Sequence, residues 1–288
     1  MKTKIKIIFS AITSLTILFF FFSAQYSKAQ VKDLEVYYFD VGQGDSIFIR
    51  TPSGKDVLID GGPDNKVLER IGETIPFWDK KIDLVFLTHA HDDHIAGLYD
   101  VLKNYNIGKV LKSDMLVEPE NEKYLDSIAK SRDVAEEDLI SGEKIILEND
   151  VYIDVIYPPS VDENIENIND SSLVLILNYS GKKFMLTGDA TSEVESKIIN
   201  QDLKSDFLKV GHHGSRYSSS EKFLEKVQPV LSIISVGEGN SFGHPTQDTL
   251  NRLVNIGSKI LRTDKNGTIK IDVKNNGDYF LACSKRCD

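Results

Sequence analysis

A chain of 288 residues allows one large domain or two small ones and can bury a sizeable core. Its formal charge of −10, from 44 acidic against 34 basic residues, argues against a broad basic surface for polyanions. Its two cysteines, Cys283 and Cys287, are too few for a disulfide framework and carry no catalytic expectation.

Residues 1–29 differ in kind from the rest. Lys2, Lys4 and Lys6 precede an uncharged apolar run from Ile7 to Ala24, and Ser27-Lys28-Ala29 offers small residues at −3 and −1. The pattern predicts a signal peptide cleaved after Ala29, with an uncleaved anchor as the alternative, and a mature domain over residues 30–288 outside the cytoplasm. Cleavage removes four lysines and no acid, leaving 30 basic against 44 acidic residues, a charge of −14 and no expected membrane contact. In an exported protein the two cysteines can close a small loop or stay reduced.

Strands are predicted at Leu34–Phe39, Ser46–Arg50 and Asp56–Ile59, separated by Asp40-Val41-Gly42-Gln43-Gly44-Asp45 and by a turn at Thr51–Lys55. Asp60-Gly61-Gly62-Pro63 follows, then a short helix over Val67–Ile71 and a strand over Ile82–Leu87. That strand runs into Thr88-His89-Ala90-His91-Asp92-Asp93-His94, and a helix extends from Asp93 to Asn104. After a strand at Lys109–Lys112, residues 113–142 are acidic and helix-prone and read as a solvated helical insert.

Strands resume at Lys144–Leu147 and Tyr152–Tyr157, with a loop from Pro158 to Asp170. Leu173–Tyr179 and Lys183–Thr187 then pair as a hairpin across Ser180-Gly181. Helices at Ser192–Asn200, Ser220–Val227 and Thr246–Ile256 alternate with strands at Phe207–Val210, Val230–Ser235 and Lys259–Arg262. Ser218–Glu221 has capping-box spacing for the second helix, and strands at Thr268–Asp272 and Tyr279–Ala282 close the chain. No repeat and no interior linker divides it, so one α/β domain is expected.

All six histidines fall in three short clusters, His89/His91/His94, His212/His213 and His244, whereas packing histidines would be scattered. His89 and His91, two apart on extended backbone, point the same way and can hold one metal ion. Asp93 and His94, on the first helical turn, can face a second. Imidazole and carboxylate without thiolate suits zinc, and also manganese or iron. Asp189 ends a strand beside Gly188, where backbone can approach a ligand, though it could equally cap the next helix. Asp60 could form a turn or orient a metal-binding imidazole.

In order, these motifs resemble the metallo-β-lactamase superfamily. More narrowly, Phe39–Ser46, Leu58–Pro63, Leu87–His94, Ser172–Leu175, Leu186–Asp189, Lys209–Ser215 and Phe242–Pro245 resemble the extracytoplasmic hydrolase domain of ComEC-type competence proteins. The resemblance implies a four-layer αβ/βα sandwich with two divalent metal ions, zinc or manganese, at one edge. His89 and His91 would bind the first ion, Asp93 and His94 the second. Asp189 would bridge them, and His212 or His213 would complete the second site. A further histidine common in the superfamily has no equivalent before Leu173, where Asp170 could substitute. Asp45 lies in a matching block without an assigned role. ComEC-type domains normally accompany a membrane channel, so a part in DNA uptake does not follow.

Paired ions lower the pKa of water and polarise the oxygen under attack, which suits phosphodiester hydrolysis. Asp93 and His244 are the catalytic candidates, and backbone N–H groups around Gly211–Ser215 could receive phosphoryl oxygens. Lys209, Arg216, Lys182 and Lys183 are the few basic residues expected near the site. The resulting expectation is a secreted phosphodiesterase or nuclease acting on a phosphodiester or nucleic-acid substrate. The rivals are a carbonyl hydrolase on the same site and a metal-free binding protein on a degenerate scaffold.

Overall fold

The computed structural model describes residues 2–29, 32–113, 119–159, 165 and 167–287. Helix α1 (Lys2–Ala29) precedes strands β1 (Leu34–Tyr38), β2 (Ile47–Arg50) and β3 (Asp56–Ile59). Helix α2 (Lys66–Thr74), β4 (Lys81–Phe86), α3 (Asp92–Asn104), β5 (Asn106–Ser113), α4 (Glu120–Ser131) and β6 (Ala135–Leu139) follow. Next come β7 (Lys144–Glu148), β8 (Val151–Tyr157), β9 (Val174–Tyr179), β10 (Lys182–Leu186), α5 (Ser192–Ile198) and β11 (Phe207–Lys209). The chain continues through α6 (Glu221–Val227), β12 (Leu231–Ile234), α7 (Gln247–Asn255), β13 (Lys259–Arg262) and α8 (Thr263–Asn266). Strands β14 (Ile269–Val273) and β15 (Tyr279–Cys283) complete it.

One sheet runs β15-β14-β1-β2-β3-β4-β5-β6 and the other β13-β12-β11-β10-β9-β8-β7. Strand alternation explains the layers. In β2 and β3, Ile47, Ile49, Val57 and Ile59 face the other sheet, while Phe48 and Leu58 face the helices α2 and α3. In β9, Leu175 and Leu177 join the inter-sheet core, and Val174 and Ile176 pack under α5 to α7. Each buried apolar side chain of this size contributes about 1.5–3 kcal/mol. The result is the expected four-layer sandwich, with helices outside both sheets. Among the residues whose side chains are described, no helix is long and apolar enough to cross a membrane.

Parallel pairing of β3 with β4 and of β10 with β11 brings four strand ends to one edge. Asp60 follows β3, Thr88–His91 follow β4, Gly188-Asp189 follow β10 and Gly211–His213 follow β11. The Leu173 N–H donates to the Thr88 carbonyl (3.0 Å) and the His212 N–H to the Gly188 carbonyl (3.2 Å). The first of these contacts joins the two sheets at the edge.

Two expectations change and one open alternative is decided. The 113–142 stretch is not wholly helical: α4 is followed by β6, which pairs parallel with β5. Its charges have partners on β5: Lys109 with Glu137 (2.6 Å) and Lys112 with Glu136 (3.7 Å) of β6, which favours an acidic edge strand, while Lys112 also holds Asp126 of α4 (2.9 Å). Residues 114–118 of that stretch, 160–164 and 166 of the predicted loop, and the expected new terminus Gln30 lie outside the described residues. The cap of α6 is Ser220, which accepts from the Phe223 N–H, rather than Ser218. Cys283 and Cys287 are disulfide-bonded.

Close backbone contact seats α3 on the Asp60 turn. The Gly61 N–H donates to the His94 carbonyl (2.7 Å) and the Gly97 N–H to the Gly62 carbonyl (2.9 Å). A Cβ on Gly97 would stand 2.0 Å from the Gly61 carbonyl oxygen, whereas one on Gly72 in α2 would meet nothing within 4 Å. Gly97→Ala is therefore expected to destabilise by about 1–3 kcal/mol. Gly72→Ala should instead stabilise by up to about 1 kcal/mol through helix propensity. Urea melts of the two variants check the contrast.

Candidate metal centre

Asp60, with φ 59°, turns the chain after β3 and points its carboxylate back at the β4 turn. Its oxygens accept from the Thr88 N–H (2.8 Å) and the Thr88 hydroxyl (2.7 Å). His94 Nδ1 also lies 2.7 Å from Asp60 Oδ2, which leaves His94 Nε2 facing Asp189 Oδ1 at 3.3 Å. Asp60 is thus both the turn former and the orienting carboxylate.

Asp189 does not cap the next helix. Thr191 does, accepting from the Glu193 N–H, and this frees the Asp189 carboxylate. Asp189 is held from behind by its own N–H, which donates to Ser172 Oγ (3.1 Å). His213 donates Nδ1–H to the Ser235 carbonyl (2.9 Å) and turns Nε2 toward Asp93 Oδ2 (3.1 Å) and Asp189 Oδ2 (3.3 Å). Asp93, His94, Asp189 and His213 each offer an atom within 4.8 Å of the others. Beside them, His89 Nε2 and His91 Nδ1 lie 3.1 Å apart, and the His89 ring centroid is 4.2 Å from that of His94.

The fit to divalent cations shows in the unsatisfied atoms. His94 Nε2, His213 Nε2 and Asp189 Oδ1 are buried without a well-formed hydrogen bond, although each has a polar neighbour. Atoms aimed at a shared space rather than at one another, all nitrogen and oxygen, suit zinc or manganese. The electrostatics agree. Burial opposes charge on His94, yet Asp189 and Asp60 push its pKa up to about 10. Burial likewise opposes charge on Asp189, but His213 and His94 hold it well below the usual carboxylate range. Asp93, despite burial, is lowered to about 2 by its hydrogen bond to His213 and by His94. The cluster therefore attracts positive charge strongly.

His212 and His213 both sit in the left-handed region, with φ 49° and 53°. Non-glycine residues there cost about 1–3 kcal/mol each and persist where surrounding structure enforces them. The enforced bend separates the pair: His213 joins the cluster, while half-buried His212 holds Nε2 3.8 Å from Asp189 Oδ2. His244 stands beyond His212, with ring centroids 5.5 Å apart. Asn240 fixes its loop, donating to the His244 carbonyl (2.7 Å) and accepting from its N–H (3.1 Å). Burial first, then His212 and His213, lower the His244 pKa to about 4, so its imidazole is neutral near pH 7.

Other expectations are displaced. Asp170 is not among the converging donors: it accepts from Thr191 Oγ1 (2.5 Å) and lines an adjoining cavity of about 520 Å³. The N–H groups of His212 and Ser215 are already bonded to the carbonyls of Gly188 and His212, so these two are not free for phosphoryl oxygens. Lys182 and Lys183 pair with Asp206 (3.0 Å) and Asp202 (2.8 Å). Lys209, expected to be available to substrate, is fully buried. It donates to the Gly188 carbonyl (3.1 Å), pairs with Asp45 and lies 3.8 Å from Asp189 Oδ1. Asp45 in turn lies 3.4 Å from His213 Nδ1. Thr88, Ser172 and the Ser235 carbonyl were not anticipated. The first two lie inside the motif blocks, but nothing in the sequence marks Ser235.

Comparison with known proteins places the chain in a family. The model of the metallo-beta-lactamase superfamily matches residues 39–238. The chain belongs to the metallo-β-lactamase superfamily. It is 36% identical over 266 residues to ComE operon protein 3 of Bacillus subtilis, covering 85% of this chain and 34% of that protein. It is 29% identical over 250 residues to competence protein ComA of Neisseria gonorrhoeae, covering 84% and 33%. The chain thus spans about a third of the length of these curated relatives. The metallo-β-lactamase fold protein YhfI of Bacillus subtilis superposes with TM-score 0.56 at 11% identity, over 87% of this chain and all of that one. That likeness bears on the fold.

The buried Lys209–Asp45 pair generates a prediction. Lys209→Met should leave Asp45 without its cation and destabilise by about 3–5 kcal/mol. The double variant Lys209→Met/Asp45→Asn should recover much of the loss, because no buried charge is then orphaned. Denaturant melts of the four proteins in the cycle test it. Simple addition of the two single losses would refute the coupling.

Proposed function

We propose that this member of the superfamily is an extracytoplasmic, metal-dependent phosphodiesterase that binds two divalent ions, zinc or manganese, and can act as a nuclease. The observation that carries the reading is the charge balance of the site. Asp45, Asp60, Asp93 and Asp189 converge on it with Lys209 as the buried cation. Once His94 and His213 give up their protons to bind metal, four carboxylates against one ammonium leave three negative charges, which two divalent ions would turn into one positive charge. That surplus matches the single negative charge of a phosphodiester better than a neutral ester or lactone.

In this reading His89 and His91 would hold one ion, Asp93, His94 and His213 the other, and Asp189 would serve the pair. Ions so held would supply Lewis acidity and lower the pKa of water. The protein's own part is orientation. Asp60 and the Ser235 carbonyl fix which nitrogen His94 and His213 present. Ionised Asp93 can accept a proton from water. Neutral His244 can donate an N–H hydrogen bond to a phosphoryl oxygen at the rim, where exposed Phe242 stacks on it at 6.0 Å. Few free basic side chains surround the centre, so affinity for long DNA should be modest and salt-sensitive.

Asp189→Asn should abolish hydrolysis of a chromogenic phosphodiester while the fold survives, since the amide keeps the shape but loses the charge that cations require. Metal analysis and turnover are measured together, beside lactone and thioester substrates. Full metal content with near-normal turnover would rule out the role of Asp189. Turnover of lactones or thioesters alone would hand the site to carbonyl chemistry.

Extracytoplasmic placement is part of the proposal. It draws on the apolar stretch in α1, with Phe19 to Phe22 exposed, and on the Cys283–Cys287 disulfide, a bond typical of oxidising compartments. N-terminal sequencing of the protein from its native host should find Gln30 first. An intact residue 1–29 segment on all of the protein would refute cleavage.

A further inference from the structure

The loop 76–80, at the opposite end of β4 from the metal centre, presents two adjacent aromatic side chains to solvent. Phe77 is 52% and Trp78 47% exposed, with ring centroids 5.1 Å apart. Single exposed apolar residues are ordinary, but this pair is held outward by its surroundings. Ile75 and Pro76 are buried at the loop's start. The Asp79 N–H donates to the Pro76 carbonyl (2.9 Å), and the Asp79 carboxylate meets Arg50 Nη2 (3.4 Å). The Lys80 carbonyl accepts from the Asn106 N–H (2.6 Å), and Lys80 Nζ sits 5.1 Å from the centre of the Tyr105 ring. A loop tied at both ends cannot tuck its rings into the core.

A second observation indicates what covers them. The apolar helix α1 reaches the domain at this same loop. The Phe21 ring packs on Phe77, with centroids 5.6 Å apart, and Gln25 Oε1 accepts from the Phe77 N–H (3.1 Å). Phe19, Phe20 and Phe22 beside Phe21 are exposed. Wherever such an apolar helix enters a bilayer, residues at its exit lie at headgroup depth. Aromatic rings favour that depth, and lysines beside them can reach lipid phosphates. Lys80 and Lys81 follow the pair and are exposed.

We infer that loop 76–80 is a membrane-interface tip that seats Phe77 and Trp78 among lipid headgroups. The six residues of β4 span about 20 Å, so the tip points the metal-bearing edge away from the bilayer and toward solvent. The inference concerns the chain while it still carries α1, ahead of cleavage after Ala29. It is also independent of the phosphodiesterase reading.

The chain has a single tryptophan, which makes Trp78 its own probe. The full chain is reconstituted with phosphatidylcholine–phosphatidylglycerol vesicles, with and without lipids brominated near the headgroup. Expected are a blue-shifted Trp78 emission, quenching by the brominated lipid and protection from aqueous acrylamide. Phe77→Ser should lower lipid quenching while α1 keeps the protein vesicle-bound. Vesicle-bound protein whose Trp78 emits as in water, open to acrylamide and untouched by brominated lipid, would overturn the inference. So would a failure of the full chain to associate with vesicles at all.

Discussion

A fully buried ammonium, that of Lys209 on β11, meets the buried carboxylate of Asp45 from the connection between β1 and β2. The pair crosses from one sheet to the other at the edge where the donor side chains gather. Removing two charges from water costs several kcal/mol per ion, so the pair persists only because its remaining valences are used. Lys209 also donates to the Gly188 carbonyl beside Asp189, and Asp45 also approaches His213 Nδ1. The two sheets are thus registered where Asp189 and His213 must face Asp93 and His94.

Around this tie, four strand ends act as fixed mounts. Parallel neighbours end side by side, so residues distant in sequence become adjacent without long loops. Glycines allow the closest approaches. A Cβ on Gly44 would lie 2.1 Å from the Asp93 carbonyl oxygen, and the Asp45 N–H donates to that same oxygen (3.1 Å). The loop carrying Asp45 therefore rests directly on the first turn of α3. At the site, strain sits at Asp60, His212 and His213, whose positive φ values aim side chains that relaxed backbone would turn elsewhere.

The site accumulates negative charge in a place with little water. Raised imidazole and lowered carboxylate pKa values are two views of that excess, since each imidazolium balances a carboxylate that burial alone would neutralise. Cations of higher charge can replace those protons, which is why affinity for metal and affinity for protons are linked here. Rim residues differ: His244 and His212 both have lowered pKa values, burial being the main cause, and stay neutral where substrate would approach.

Much of this was legible in the sequence. His89, His91, Asp93 and His94 lie within six residues, so local backbone geometry alone brings them together. Alternation of apolar residues marked most strands, and the superfamily resemblance implied their stacking into four layers. The choice of His213 over His212 was not legible, because it depends on two left-handed residues in succession and on a carbonyl from β12's exit, Ser235. Nor was the burial of Lys209 or the role of Asp45. Each side chain looks solvent-bound until strands separated by more than a hundred residues close around both. Composition could count the acidic residues of 113–142 but not assign them partners, since Lys109 and Lys112 reach Glu137 and Glu136 only after β5 and β6 pair. Local spacing sets which atoms can share a metal, whereas the packing of two sheets decides which of them are buried, aimed and charged.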